Sequence, residues 1–330
     1  MGSEMCIRDR ASPNLKEGQL MSLESTTYPG TTEELLLPKI ESKGLKIGKN
    51  YFLVYSPERE DPGNIDYTTK TMPKICGGVT PNCKEIGKIL YEMIIDKVVL
   101  VSSTRAAELV KLLENIHRAV NIGLVNEMKI VADKMDIDIY EVIEAAATKP
   151  FGFVPYFPGP GLGGHCIPID PFYLSWKAKE YDIYTKFIEL AGEINSSMPN
   201  FVITKTIQAL NTKKIAVNGS KLLFLGVAYK KNIDDSRESP TYELIEKLSL
   251  LGASISYSDP YIPNIKCKVN GKVKSLKSLK ITPSLIRKND AILLVTDHDV
   301  LNYQEILSSS KLIIDCRGRF SAKNKKVVRG

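Results

Sequence analysis

The stretch from residue 104 to residue 148 contains no proline and a single glycine, Gly123. Its apolar residues Leu109, Leu112, Leu113, Ile116, Val120, Leu124, Met128 and Val131 recur at helical spacing. This predicts a helix running to about residue 135, long for a surface helix. It is apolar on more than one side, which predicts burial between domains or subunits. On either side the pattern is different. Before it, Gln19–Leu23, Tyr51–Tyr55 and Val98–Ser102 read as strands, with a helical stretch at Thr31–Lys43. After it come helical stretches at about 171–181, 185–197 and 200–211. Strands then follow at Leu222–Val227, Ala253–Tyr257, Ala291–Thr296 and Lys311–Asp315. Ser239-Pro240 is an N-cap and first-turn pair that opens a helix stopping near Gly252. Such βα alternation predicts an α/β protein with two Rossmann-like parallel-sheet domains joined by the long central helix.

The 330 residues suit two or three domains, and 43% hydrophobic with 25% charged residues is globular composition. Forty-five Lys and Arg against 38 Asp and Glu give +7, which suits an anionic ligand such as a nucleotide and is too weak to predict nucleic-acid binding. The lysine-rich segment 264–288 lacks interleaved aromatics and reads as a solvated loop or hairpin. No apolar run approaches a membrane span of about 18–20 residues, and residues 1–10 have no signal-peptide core. Six dispersed cysteines without a CxxC pair, and three histidines, predict neither disulfides nor a metal site. A cytoplasmic protein is the expectation.

Pro158 through Pro171 is the segment richest in chemistry. Gly159, Gly161 and Gly164 match the G-x-G-x-x-G spacing. However, Pro155, Pro158 and Pro160 break any strand ahead of them, so a dinucleotide loop is rejected there. What remains is Cys166 on a glycine-rich loop just before a helix, with Asp170-Pro171 as N-cap and first-turn proline. The helix dipole would favour a thiolate at Cys166. A small buried cysteine explains Cys166 equally well, a simple cap explains Asp170 better, and His165 alone reads as structural. On the long helix, Glu108, Lys111 and Asn115 share a face. A lysine and an amide there could support an oxyanion, or form a solvated stripe.

Several motifs, taken in order, resemble the UDP-sugar 6-dehydrogenases, or nucleotide-sugar dehydrogenases. They are Leu23 through Thr31; Ser56-Pro57-Glu58-Arg59 with Pro62-Gly63-Asn64; Glu108 through Asn115; Gly161 through Pro171; and Gly226 through Asn232 followed by Asp234 through Pro240. The 158–171 segment is most similar to the branch that acts on UDP-N-acetylglucosamine or related UDP-N-acetylhexosamines. The resemblance covers about residues 11–325. It implies NAD as cofactor, a UDP-sugar as substrate, and a homodimer through the central helix. It also implies Cys166 as nucleophile, Lys111 and Asn115 supporting oxyanions and a water, and Asp170 in water activation. Thr26 and Glu58 would line the same centre from the cofactor side, with Glu24 and Arg237 as further cofactor contacts. Tyr229 and Lys230 would hold uridine and phosphates, and Gly163, Arg317 and Lys149 would contact the substrate, Lys149 across the dimer.

The resemblance divides the chain at 1–101, a remnant of the NAD-binding domain; 102–200, a central helical region with the cysteine loop; and 201–330, the UDP-sugar-binding domain. Residues 1–10 do not resemble the family, and no diphosphate-binding glycine loop precedes Ala11. The expectation is therefore an N-terminally truncated chain with an incomplete first domain that binds UDP weakly, binds NAD poorly and does not turn over. A UDP-glucose dehydrogenase and a silent UDP-sugar-binding dimer are the competing readings.

Overall fold

A computed structural model describes residues 14–61, 66–164 and 166–330. His165 and the Pro62-Gly63-Asn64 motif fall outside these residues, as does Cys6. The described residues form two compact units, one of those up to 117 with 169–185, the other of those in 118–168 with 186–330. The 102–200 stretch is thus shared between them, and the boundary falls inside one helix.

The first unit is built on strands β1 (Gln19–Leu23), β2 (Tyr51–Tyr55), β3 (Lys74–Gly78) and β4 (Val98–Leu100), in that spatial order. β1 pairs with β2 and β3 with β4 in parallel. β2 and β3 run antiparallel, a departure from the all-parallel sheet expected. A π-helical turn at Thr32–Leu36 leads into α1 (Leu37–Glu41), within the predicted Thr31–Lys43 stretch. α2 (Pro81–Glu92), capped by the Thr80 hydroxyl, packs Cys83 and Tyr91 onto Val54 and Cys76. α3 (Thr104–Lys134) is the long helix, and α4 (Ile139–Ala146) follows it. α5 (Asp170–Ala178) returns to the first unit.

The second unit carries the five-stranded sheet β11-β10-β9-β5-β6, parallel throughout, from β5 (Lys221–Leu225), β6 (Ser254–Ser258), β9 (Ala291–Leu294), β10 (Ile313–Asp315) and β11 (Val327–Arg329). Side chains alternate across a strand, so Leu222 and Phe224 join one core and Leu223 and Leu225 the other. The first core is closed by α6 (Lys186–Thr212) and α7 (Pro240–Leu250), the second by α8 (Pro283–Lys288) and α9 (Tyr303–Ser309). Burial on both faces explains why these strands read as unbroken apolar runs.

The lysine-rich segment is an antiparallel hairpin, β7 (Asn264–Val269) with β8 (Lys272–Lys277). The two helices expected at 185–197 and 200–211 are one. α6 runs through Pro199, giving up the hydrogen bond a residue there would make to the Asn195 carbonyl. Met198, Pro199 and Val202 are buried, and their packing outweighs that loss. Among the described residues no helix is long and apolar enough to cross a membrane.

Candidate active site

In the first unit, the inner face of α3 does two separate jobs. Glu108 is wholly buried; it accepts the Gly30 N–H at 2.5 Å and the Thr32 N–H and hydroxyl at 2.9 and 2.7 Å. It therefore fixes the loop after β1 that carries the Leu23–Thr31 motif. Two turns on, Asn115 Nδ2 donates to Asp170 Oδ2 at 2.7 Å, with both residues buried. Asp170 was expected to cap a helix. Instead it lies at the first position of α5, Ile169 is the cap residue, and no side chain caps the end. Its carboxylate is turned to Asn115, because a buried oxygen gains more from an amide donor than an exposed cap would give. Lys111 is half-buried on the same helix, and among the described residues it enters no hydrogen bond or ion pair. Tyr55 lies near both carboxylates; burial first, then Glu108 and Asp170, raises its pKa well above the usual phenol value.

Burial likewise raises the Glu108 pKa above its ordinary 4.5, against the lowering effect of the Gly30 and Thr32 hydrogen bonds. Its contribution to stability is therefore complete below that value and declines as pH rises through the raised one. Glu108→Ala strands two buried N–H groups and is expected to cost about 2–4 kcal/mol. Urea midpoints at about pH 4 and about pH 8 check this, with the deficit larger at the acid end. Equal deficits would contradict the titration.

Glu24 and Glu58 follow the carboxyl ends of β1 and β2, the edge where open α/β sheets take ligands. Lys74 Nζ lies 3.2 Å from each carboxylate and 5.4 Å above the Tyr91 ring, whose hydroxyl donates to Glu24. Burial opposes ionisation of Glu58, but the Glu60 N–H, Lys74 and the Arg59 N–H outweigh it and hold its carboxyl below the usual range. Thr26 is half-buried between Ser25 and Thr27 in the same turn. Lys74 thus offsets one of the two carboxylate charges and holds Glu24 and Glu58 together at this edge.

In the second unit, the cysteine loop lies against the 226–240 segment. The Gly164 N–H donates to the Arg237 carbonyl at 2.9 Å. A Cβ on Gly163 would come within 2.6 Å of Tyr229 Cβ, and one on Gly164, at φ +82°, within 3.0 Å of its ring. The two glycines thus let the loop backbone lie on Tyr229. Upstream, the Gly159 N–H donates to Asn126 Oδ1 at 3.0 Å. The Asn126 amide in turn donates to Asn195 at 2.8 Å, and Asn195 to the Ala119 carbonyl at 3.0 Å. No strand lies between Ala146, the end of α4, and Gly159, as expected for a loop that is not a dinucleotide fingerprint. The Cys166 thiol is exposed at the end of this loop.

Arg317 is half-buried, its Nε donating to the Val295 carbonyl at 2.6 Å, and its Nη1 lies 2.8 Å from where a Gly159 Cβ would stand. Lys230 is half-buried beside Tyr229. Arg237 is exposed and forked onto Asp235 at 2.7–3.1 Å, and Lys149 is exposed over the Phe151 ring. Reasoning from sequence did not pick out Asn126, Asn195 or Lys74. Asparagines inside an apolar helix stripe were the available signal for the first two, since a buried amide needs partners.

Parallel strands with polar side chains at their carboxyl edge in the first unit, and in the second a five-stranded parallel sheet with a glycine loop laid on Tyr229, define a nucleotide-binding α/β protein. The comparisons agree. The sequence matches the NAD binding domain of the UDP-glucose/GDP-mannose dehydrogenase family over residues 5–95, the central domain over 105–197 and the UDP binding domain over 223–322. It is 32% identical over 321 residues to the NDP-N-acetyl-D-galactosaminuronic acid dehydrogenase of Ralstonia solanacearum, covering 94% of this chain and 73% of that one. It is 35% identical over 250 residues to the UDP-N-acetyl-D-glucosamine 6-dehydrogenase of Pseudomonas aeruginosa, covering 75% and 59%. The fold matches the UDP-D-ManNAc dehydrogenase structure from Pyrococcus horikoshii with a TM-score of 0.86 at 30% identity, over 99% of this chain and 75% of that one. The chain belongs to the UDP-glucose/GDP-mannose dehydrogenase family. It spans between 56% and 61% of the length of several curated relatives.

Proposed function

We propose that the protein oxidises the C6 hydroxyl of a UDP-N-acetylhexosamine to the uronic acid, with NAD as oxidant, supplying a precursor for surface polysaccharide. The observation that carries this reading is the seating of Gly163 and Gly164 on Tyr229, with Cys166 two residues further along the same loop. The relatives named for UDP-N-acetylhexosamine substrates support the choice of sugar.

When bound, NAD supplies the hydride acceptor, and two NAD are reduced per sugar. In the first oxidation C6 loses a hydride and the hydroxyl a proton, leaving an aldehyde. The Cys166 thiolate adds to that aldehyde and forms a carbon–sulfur bond, giving a thiohemiacetal. Loss of the second hydride and of the hydroxyl proton makes a thioester. Water cleaves it to carboxylate, and the thiol is regenerated. Lys111 and Asn115 stabilise the successive oxyanions, and Asp170, oriented by its bond to Asn115, takes the proton of the attacking water. Tyr229, Lys230 and Arg317 hold the nucleotide, while Thr26, Glu24, Glu58 and Arg237 face the cofactor. The test, on a chain spanning the full length of the relatives, is a panel of UDP-GlcNAc, UDP-ManNAc, UDP-GalNAc and UDP-glucose, following NADH and uronate together. Two NADH per uronate with an N-acetylhexosamine is the expected result; oxidation of UDP-glucose alone would overturn the assignment of the sugar.

The same reading includes a homodimer through α3. Leu109, Leu113, Leu124, Met128 and Val131 form a stripe along that helix and are all more than 40% exposed. Light scattering at micromolar concentration is expected to give twice the chain mass, and a folded monomer would contradict this.

A further inference from the structure

The turn that carries Tyr229 and Lys230 is held from beneath by two buried side chains that take no part in the chemistry above. Asp259, 4% exposed, follows β6, and His298, wholly buried, follows β9. Asp259 Oδ2 accepts the N–H groups of Val227 and Ala228 at 2.7 and 3.1 Å. Its other oxygen accepts those of Tyr261 and Ile262 at 2.8 and 3.0 Å. His298 Nδ1 accepts the Asn232 N–H at 3.0 Å, so its Nε2 carries the ring proton and donates to Asp259 Oδ2 at 3.1 Å. Burial opposes ionisation of Asp259, but His298 and the Val227 and Tyr261 N–H groups outweigh it and hold the carboxyl below its usual range.

The turn is also constrained from its sides. Thr296 Oγ1 donates to the Ala228 carbonyl at 2.5 Å. Gly226, at φ +82°, leaves no room for a Cβ, which would fall 2.4 Å from Thr296 Cβ. Asn232, at φ 63°, exchanges two hydrogen bonds with Asp299 at 2.6 and 3.0 Å. The carboxylate therefore grips one end of the turn and the imidazole the other, with Tyr229 and Lys230 between them.

We propose that Asp259 and His298 are positioning residues that hold the Val227–Asn232 turn in the geometry that binds a uridine diphosphate. This rests on the reading of Tyr229 and Lys230 as the nucleotide-binding pair. A turn fixed before the ligand arrives spares the ligand the cost of ordering it. Losing the imidazole frees the far end of the turn, and that cost reappears as lost affinity.

The test is calorimetric titration of the purified chain with UDP, alongside thermal melts. His298→Ala is expected to weaken UDP binding about tenfold at a temperature where the protein is fully folded. His298→Asn keeps an acceptor for the Asn232 N–H but loses the donor to Asp259, and is expected to fall between the two. In a Lys230→Ala background His298→Ala should add less than about a twofold further loss, because the residue it positions is gone. A purely structural role would lower the melting temperature in both backgrounds and leave UDP affinity unchanged. A folded His298→Ala protein with wild-type affinity overturns the proposal. Should His298→Ala not fold, His298→Asn decides by the same comparison. Failure of the unsubstituted chain to bind UDP would instead overturn the reading of Tyr229 and Lys230, and the positioning role with it.

Discussion

Cys166→Ser, assayed in a chain spanning the relatives' full length, is expected to abolish uronate formation, by more than about 10³-fold, while leaving UDP-sugar affinity within about twofold. The thiol sits at the exposed end of a loop whose glycines are fixed on Tyr229. The substitution therefore changes the nucleophile and leaves the nucleotide contacts alone. A serine hydroxyl is almost never ionised near neutral pH, so the aldehyde lacks a covalent acceptor, and neither the thiohemiacetal nor the thioester forms. The first oxidation does not need the sulfur, so an aldehyde trap should collect the product of one hydride transfer. Wild-type uronate production by the serine variant would sink the assignment of Cys166.

Lys111→Ala is expected to lower kcat by about 10²–10³, equivalent to about 3–4 kcal/mol. Lys111 is half-buried on the same inner face of α3 as Glu108 and Asn115. Glu108 is already committed to Gly30 and Thr32, and one of the two Asn115 amide protons to Asp170. No ion pair among the described residues neutralises the Lys111 ammonium. A cation held without a counter-ion stabilises an alkoxide or tetrahedral oxyanion more than a neutral ground state, and the loss should therefore appear in kcat. A rise in KM with kcat unchanged would place Lys111 in uniform substrate binding instead.

Much of this architecture was legible because its causes are local. β1, β2, β5 and β9 are apolar runs bounded by polar turns, and Ser239-Pro240 opens α7 as its capping chemistry predicts, the Ser239 hydroxyl accepting the Thr241 N–H. The long helix follows from an apolar period that no proline interrupts. β3 escaped notice because Lys74-Ile75-Cys76-Gly77-Gly78 lacks the bulk expected of a strand. Its glycines answer to distant neighbours: a Cβ on Gly77 would meet the Ser103 carbonyl at 2.2 Å, and one on Gly78 the Lys84 nitrogen at 2.3 Å. The short helices α8 and α9, six and seven residues long, carry too few turns to set a readable period.

The sequence by itself determined the motifs on which the proposed site rests: a cysteine on a glycine loop, an aromatic-lysine pair, and a lysine and an amide one turn apart on a helix. Those follow from motif order and from spacing along a single element. Only the tertiary structure decided what Asp170 does, because the choice between capping α5 and bonding Asn115 depends on a residue 55 positions away. The same holds for Pro199, whose missing hydrogen bond is outweighed by burial, and for the antiparallel pairing of β2 with β3. It holds again for Asp259 and His298, which lie 39 residues apart and meet beneath the nucleotide turn. Hydrogen-bond partners of buried polar groups are set by packing across the fold, and one-dimensional spacing carries no record of them.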